Sequence, residues 1–161
     1  RIILEAGITQ DNLPYPLLFN ASGGNTSFGG SSGFFIRDAF QTMGLYEFVS
    51  NQFFNIFYSH NFGSLLLKIG NYRPELGITF HAGWGTFTGD ESRHEGIQFQ
   101  DYRRGYYETG ILFNNLLKAR FLGLLKGGLG LGVFYNVGYY AQPDDLLSDL
   151  AFQVTYTLRS I

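Results

Sequence analysis

The sequence predicts an all-β, antiparallel protein whose strands carry one apolar face and one polar face. Three observations lead there. Apolar residues recur with period two over long segments, which is the spacing of a strand exposed to two different environments. No stretch shows a convincing helical period. Charged residues make up only 15% of the 161 residues, whereas 17 Phe, 11 Tyr and 1 Trp make the chain aromatic-rich, about double ordinary usage.

Seven segments carry strand character, and residues 61–74, which contain LLLK, leave room for an eighth. In 1–9, Ile2, Leu4, Ala6 and Ile8 alternate with Arg1, Glu5, Gly7 and Thr9. In 15–22, Tyr15, Leu17, Phe19 and Ala21 share one side. Residues 47–60 are aromatic and less cleanly sorted, with Asn51 and Asn55 against Phe54, Ile56 and Tyr58. In 75–85, Leu76, Ile78, Phe80, Ala82 and Trp84 oppose Glu75, Gly77, Thr79, His81 and Gly83. Segments 105–117 and 121–138 follow. In the second of these, Leu125, Leu129, Leu131, Val133, Tyr135 and Val137 oppose Lys126, Gly128, Gly130, Gly132 and Asn136. The last segment, 148–160, sets Leu150, Phe152, Val154, Tyr156 and Leu158 against Gln153, Thr155 and Thr157.

The connections fall into two alternating sets. Residues 10–14, 61–74 and 118–120 form the shorter set, and 23–46, 86–104 and 139–147 the longer. Short turns at one end and long loops at the other characterise outer-membrane barrels. A soluble barrel also alternates, with its apolar face turned inward around a hydrophobic ligand. Low charge, abundant aromatics and a Thr/Gln/Asn/Gly opposite face favour the membrane orientation, because such a face is costly to bury in a dry core. Tyr15, Tyr46, Trp84, Tyr106, Tyr107, Tyr139 and Tyr140 near strand ends suit interfacial girdles. The expectation is therefore an antiparallel transmembrane β-barrel, with the apolar ridges facing acyl chains and the polar face lining a hydrated lumen. Seven is an odd count, whereas bacterial barrels close with an even one, and the chain opens at Arg1 with no signal segment. Residues 1–161 thus read as one domain, the C-terminal portion of a longer barrel with further strands upstream.

The balance of 11 basic and 13 acidic residues provides no field for nucleic acid. Zero cysteines exclude a disulfide framework and a thiolate metal site.

PYPLLF (14–19), AFQTM (39–43) and YEFVSNQFFNIFYSHNFG (46–63) resemble a Bacteroidota outer-membrane family of unassigned function, whose members usually carry an N-terminal carboxypeptidase-regulatory-like domain. The likeness runs over nearly all of the chain. The strand order is more distantly similar to the barrel of the bacterial surface antigen superfamily, which includes outer-membrane assembly factors and two-partner secretion pores. The second resemblance implies a long loop folded into the lumen, carrying a motif arginine and followed by five strands. FIRDAF (35–40) occupies such a loop, making Arg37 the matching arginine. Asp38 stands where that family has Gly. On the facing wall, TFHAGWG (79–85) puts His81 where the family has an acidic residue, and an imidazole cannot act as counter-ion to a guanidinium. The resemblance also implies a C-terminal aromatic signal for the assembly machinery; Ser160 and Ile161 end the chain, so Phe152, Tyr156 and Leu158 are the candidates.

Other motifs have plainer readings. GGSSG (29–33) matches a nucleophile elbow, but no helix follows it, and a flexible loop accounts for it. GGLGLG (127–132) alternates Gly with Leu inside a strand rather than capping a helix, so it marks close backbone approach. GDESRHEG (89–96) gathers Asp90, Glu91, Arg93, His94 and Glu95 in a polar loop, where a solvated tip competes with a cation site or an outer-membrane hydrolase. PDDLLSD (143–149) reads as a turn. His60, His81 and His94 lie on three elements, so no catalytic residue, metal or cofactor is assigned. Glu108 and Lys126 are expected on the lumen wall, where they either pair or line water. The expected partners are the lipid bilayer, the outer-membrane assembly machinery and other envelope proteins, and the expected role is envelope assembly or transport in the bacterial outer membrane.

Overall fold

The computed structural model describes residues 1–9, 13–25, 32–67, 73–89, 100–121, 125–141 and 149–160. Its main feature is a sheet of long antiparallel strands: β1 (Ile2–Ile8), β7 (Gln52–Gly63), β8 (Glu75–Thr86), β9 (Tyr106–Phe121), β10 (Leu125–Val137) and β11 (Leu150–Ser160). Five short strands lie between β1 and β7: β2 (Phe19–Asn20), β3 (Gly23–Asn25), β4 (Ser32–Phe34), β5 (Phe40–Gly44) and β6 (Val49–Ser50). The sheet runs β1-β7-β8-β9-β10-β11-β4. Its last pair is a parallel one, with Phe152 opposite Ser32. Among the described residues no pairing joins β1 to β4, so the ladder has two ends.

The long strands turn most of their larger apolar side chains outward and most of their polar ones inward; Phe57, Tyr106, Leu112 and Phe134 are inward exceptions. On β11, Phe152 and Tyr156 are 46% and 55% exposed, while Gln153 and Thr155 between them are 0% and 4%. On β8, Ile78 and Phe80 are exposed and Thr79 and His81 are buried. Ile2, Leu4 and Ile8 on β1, and Leu129 and Leu131 on β10, repeat the pattern. This inverts the usual arrangement, in which the larger apolar side chains fill the interior.

The sheet curves around residues 35–48, which fill its concave side. Phe40 of this plug packs on Phe57 of β7, His81 of β8 and Tyr106 of β9. Its neighbour Gln41 receives a bond on its backbone carbonyl from Gln153 of β11 at 3.4 Å. Contact with four strands of one sheet requires that sheet to wrap the plug. The central cluster is Phe40, Met43, Phe48, Phe57, Tyr102 and Tyr106. A smaller one, Leu112, Phe134 and Ala151, sits beneath it. Phe134 lies flat over two glycines, since a Cβ at Gly110 or Gly132 would come within 2.3 or 2.7 Å of its ring.

Several expectations are corrected. Residues 15–22 do not form a wall strand: Tyr15–Leu17 is a single 3-10 turn, and β2 after it is two residues long. Pro14 and Pro16 explain this, because each fixes φ and removes a ladder donor. Without that strand, 10–14 and 23–46 belong to one connection at the long-loop end of the sheet. The count of long antiparallel strands becomes six rather than seven. In 61–74, β7 continues to Gly63, and residues 64–67 are irregular. Five long strands do follow the plug, β7 to β11. Of the tyrosines expected at the girdles, Tyr106 faces the core, Tyr140 packs inward on Phe48 and Tyr106, and Tyr15 packs beside Leu18, Val49 and Phe87.

Candidate functional site

The strongest polar constellation joins the plug to the wall. His81 and Glu108 stand opposite each other on β8 and β9, both on the inward face, and are 3% and 0% exposed. His81 Nδ1 lies 2.9 Å from Glu108 Oε1. The other carboxylate oxygen accepts two bonds from one plug residue, the Thr42 amide at 2.6 Å and the Thr42 hydroxyl at 2.7 Å. Tyr106 Oη is 2.8 Å from the same hydroxyl. With Glu108 ionised, each bond has one direction: Tyr106 donates to Thr42, Thr42 donates to Glu108, and His81 Nδ1 donates to Glu108.

A buried carboxylate is tolerated only when its lone pairs are met by donors, and here three donors converge on Glu108. The Thr42 hydrogen is directed at the carboxylate and not at the imidazole. The arrangement is an anchor that holds the plug backbone to the wall.

The plug is also shaped internally. Gln41, 0% exposed, donates to the carbonyls of Ile36 and Ala39 and accepts from the Ile36 amide, closing the 36–41 bend. Asp38 within that bend has φ +62°, a left-handed conformation that glycine adopts freely and Asp tolerates better than most residues.

Residues 100–105 cover the same end of the concave face. Tyr102 packs on Phe48 and donates to Asn55 Oδ1 at 3.3 Å; burial pushes its phenol up to about 12. Beside it, burial pushes the Asp101 carboxyl up. Bonds from Arg103 and from the amides of Phe87 and Arg103 outweigh burial and hold the carboxyl below its usual range.

The residues singled out in the sequence separate as follows. His81 and Glu108 meet, and they meet each other rather than Arg37 or Lys126. Arg37 is exposed and lines an open cavity of about 240 Å³ with Arg1, Phe35 and His60. Asp38 pairs with Arg1 at 2.8 Å. Of the two alternatives for Glu108 and Lys126, pairing is excluded by the register: Glu108 stands opposite Asn136, ten residues along β10 from Lys126, which is about 33 Å. The Lys126 side chain itself lies outside the described residues. Phe152 and Tyr156 point outward. Leu158 is paired to Gly127 through its backbone, and its side chain lies outside the described residues. Most of GDESRHEG, from Asp90 onward, and residues 143–148 of PDDLLSD also fall outside them. Among the described residues no group of three or more His, Asp or Glu is placed to hold a metal ion.

Sequence reasoning missed Thr42 as the partner of Glu108, Tyr106 as the partner of Thr42, and Gln41 as the residue that shapes the plug. One signal was available: a carboxylate on the inward face of a strand needs donors, and the aromatic-rich loops were the place to look for them.

The fold and site together define an all-β protein in which a curved antiparallel sheet, apolar on its convex face, is anchored to an internal plug. No protein-family model matches the chain, and comparison with curated proteins and with solved structures likewise returns no match.

Proposed function

We propose that this chain forms wall and plug of a bacterial outer-membrane β-barrel with a role in envelope assembly or transport. The observation that carries the proposal is the inverted burial: Phe80, Phe152 and Tyr156 face out, and Thr79, Gln153 and Thr155 face in. Such a convex face needs an apolar solvent, which a bilayer supplies. The inner face opposes a soluble hydrophobic-ligand barrel. Thr79 Oγ1, Asn136 Oδ1, Gln153 Oε1 and Thr155 Oγ1 have no hydrogen-bond partner among the described residues, and an oily ligand would leave them unmet.

The strand register adds independent support. Val154, the middle of the β11 ridge, is connected rung by rung through Leu131, Phe113 and Leu76 to Gly63 on β7. Midway along the β1 ridge, between Leu4 and Ala6, the rung is Glu5 opposite Asn55, eight residues from Gly63, one of them taken up by the bulge between Asn61 and Gly63. The apolar band therefore slips about seven residues over five strand steps, or about 4.6 Å per step against a strand spacing of about 4.8 Å. That slope tilts the strands by about 45° from the band normal, close to the tilt of about 35–45° in membrane barrels. Closure of such a barrel calls for strands beyond the six long ones, between β1 and the β11 edge that the short strand β4 covers only in part.

The likeness to the surface antigen superfamily is supported by the placement of FIRDAF in a plug and by the φ of +62° at Asp38, where that family has Gly. The anchor differs, because Glu108 grips the plug backbone where the family would use an arginine and an acid. The barrel's partners are then the bilayer and the outer-membrane assembly machinery.

Membrane fractionation tests the reading. The protein should stay with outer membranes through carbonate extraction, and Phe80→Arg should cost about 2–4 kcal/mol of stability in lipid. A detergent-free, monodisperse monomer that tolerates Phe80→Arg without loss would end it.

A further inference from the structure

We propose that the outer rim at the long-loop end of the sheet binds the phosphate of an anionic lipid headgroup, with Arg104 as the cation and Tyr139 as its seat. The inference rests on the membrane reading above and adds a specific lipid-recognition site to it.

The site lies at the upper border of the apolar band. Phe54 and Trp84 are cross-strand partners with stacked rings 6.4 Å apart. Trp84 meets Tyr107 edge-on at 5.6 Å, and Tyr107 is paired with Val137, two residues before Tyr139. These aromatics form a row across β7, β8 and β9 that leads to the end of β10. Amphipathic rings at this depth belong to the headgroup level of a bilayer.

Tyr139 and Tyr140 are successive residues with rings at 88°. Tyr140 turns inward onto Phe48 and Tyr106, and Tyr139 turns outward, 59% exposed. The Arg104 guanidinium lies 4.1 Å from the centre of the Tyr139 ring. A guanidinium held by its face keeps its edge N–H groups free, and that edge forms the paired bonds a phosphate accepts.

Two further details mark the site as built. Gly105 and Gly138 have φ of +86° and +111°, and a Cβ at either would come within 2.6 or 3.2 Å of the Tyr107 side chain. Both turns are thus folded closely around one outward ring, fixing the backbone next to Arg104 and Tyr139. The adjacent acid, Asp101, is occupied by Arg103 at 2.6 Å. Among the described residues no carboxylate pairs with Arg104.

Trp84 is the single tryptophan of the chain and sits in the same row, so its fluorescence reports on the lipids around it. The protein is reconstituted into phosphatidylcholine vesicles containing an equal small fraction of either dibrominated phosphatidylglycerol or dibrominated phosphatidylcholine. The brominated anionic lipid should quench Trp84 as though enriched about fivefold at the rim. Arg104→Gln should bring it down to the level of the brominated neutral lipid, whose own quenching stays unchanged. Tyr139→Leu, which removes the seat, should shift the preference the same way. Equal quenching by both lipids in the wild type, or a preference that survives Arg104→Gln, overturns the site and leaves the membrane reading standing. If neither brominated lipid quenches Trp84, the membrane reading falls as well.

Discussion

The two ends of the concave face are built from the same strands yet are filled differently. At the long-loop end, Phe57, His81, Tyr106 and Glu108 meet the plug, and aromatic packing surrounds one ionic anchor. At the short-turn end, a polar relay crosses the strands. Thr157 donates to Asn115 Oδ1 at 2.8 Å, Asn115 donates to Glu75 at 2.7 Å, and Asn61 donates to Glu75 at 3.1 Å. The lesson is that the inward face is polar by default and becomes a core only where the plug covers it. A covered group must find its donors in the plug, whereas an uncovered one finds them along the wall or in water.

Substitutions at the two ends should break this contrast unequally. The largest effect is expected at the anchor. Glu108→Ala leaves the Thr42 amide, the Thr42 hydroxyl and His81 without their acceptor, at a cost of about 3–5 kcal/mol. Urea unfolding in detergent, followed by Trp84 fluorescence, measures it, and trypsin should then cut faster after Arg37. An unchanged midpoint and an uncut plug would show that the anchor holds nothing.

Next comes overpacking at the same end. A Cβ on Gly85 would lie 2.3 Å from the Tyr102 ring, so Gly85→Ala should cost about 1–3 kcal/mol by displacing Tyr102. The same unfolding titration should show that cost; wild-type stability would mean that Tyr102 moves away freely. The short-turn end should respond less. Thr157→Val removes one link of the relay and should cost about 1 kcal/mol; a loss equal to that of Glu108→Ala would erase the distinction between the two ends.

The smallest effect concerns pH. The Asp101 carboxyl is held below its usual range in the folded protein, so it contributes stability above its unfolded value. That contribution is lost as pH falls through the lower folded value. Thermal unfolding across the acid range should show a steeper decline for the wild type than for Asp101→Asn, and parallel curves would refute the role of Arg103 and the two amides.

Much of the wall was legible in the chain. The split of Leu76, Ile78, Phe80 and Trp84 from Gly77, Thr79, His81 and Gly83 agrees with the burial of the sheet, with Ala82 as a buried exception on the outer set, because the side-chain period of a strand is two whatever its surroundings. Residues 15–22 alternate like a strand, yet Pro14 and Pro16 stop a strand from forming there. At the site, the inward placement of His81 and Glu108 was readable, but their pairing depended on register, and register is decided by contacts between strands distant in sequence. Thr42 was illegible as a partner for the same reason, lying 66 residues from Glu108.

Local chemistry was thus settled by the amino-acid order alone: which positions extend, which side of each ribbon is oily, and where proline stops a strand. Only the folded arrangement decided that the oily side faces out, that the plug enters the hollow, and that one carboxylate meets a threonine and a histidine. The reason is physical. Backbone geometry propagates from neighbour to neighbour along the chain, whereas burial and pairing are properties of surfaces that come together only when remote segments close a curved sheet.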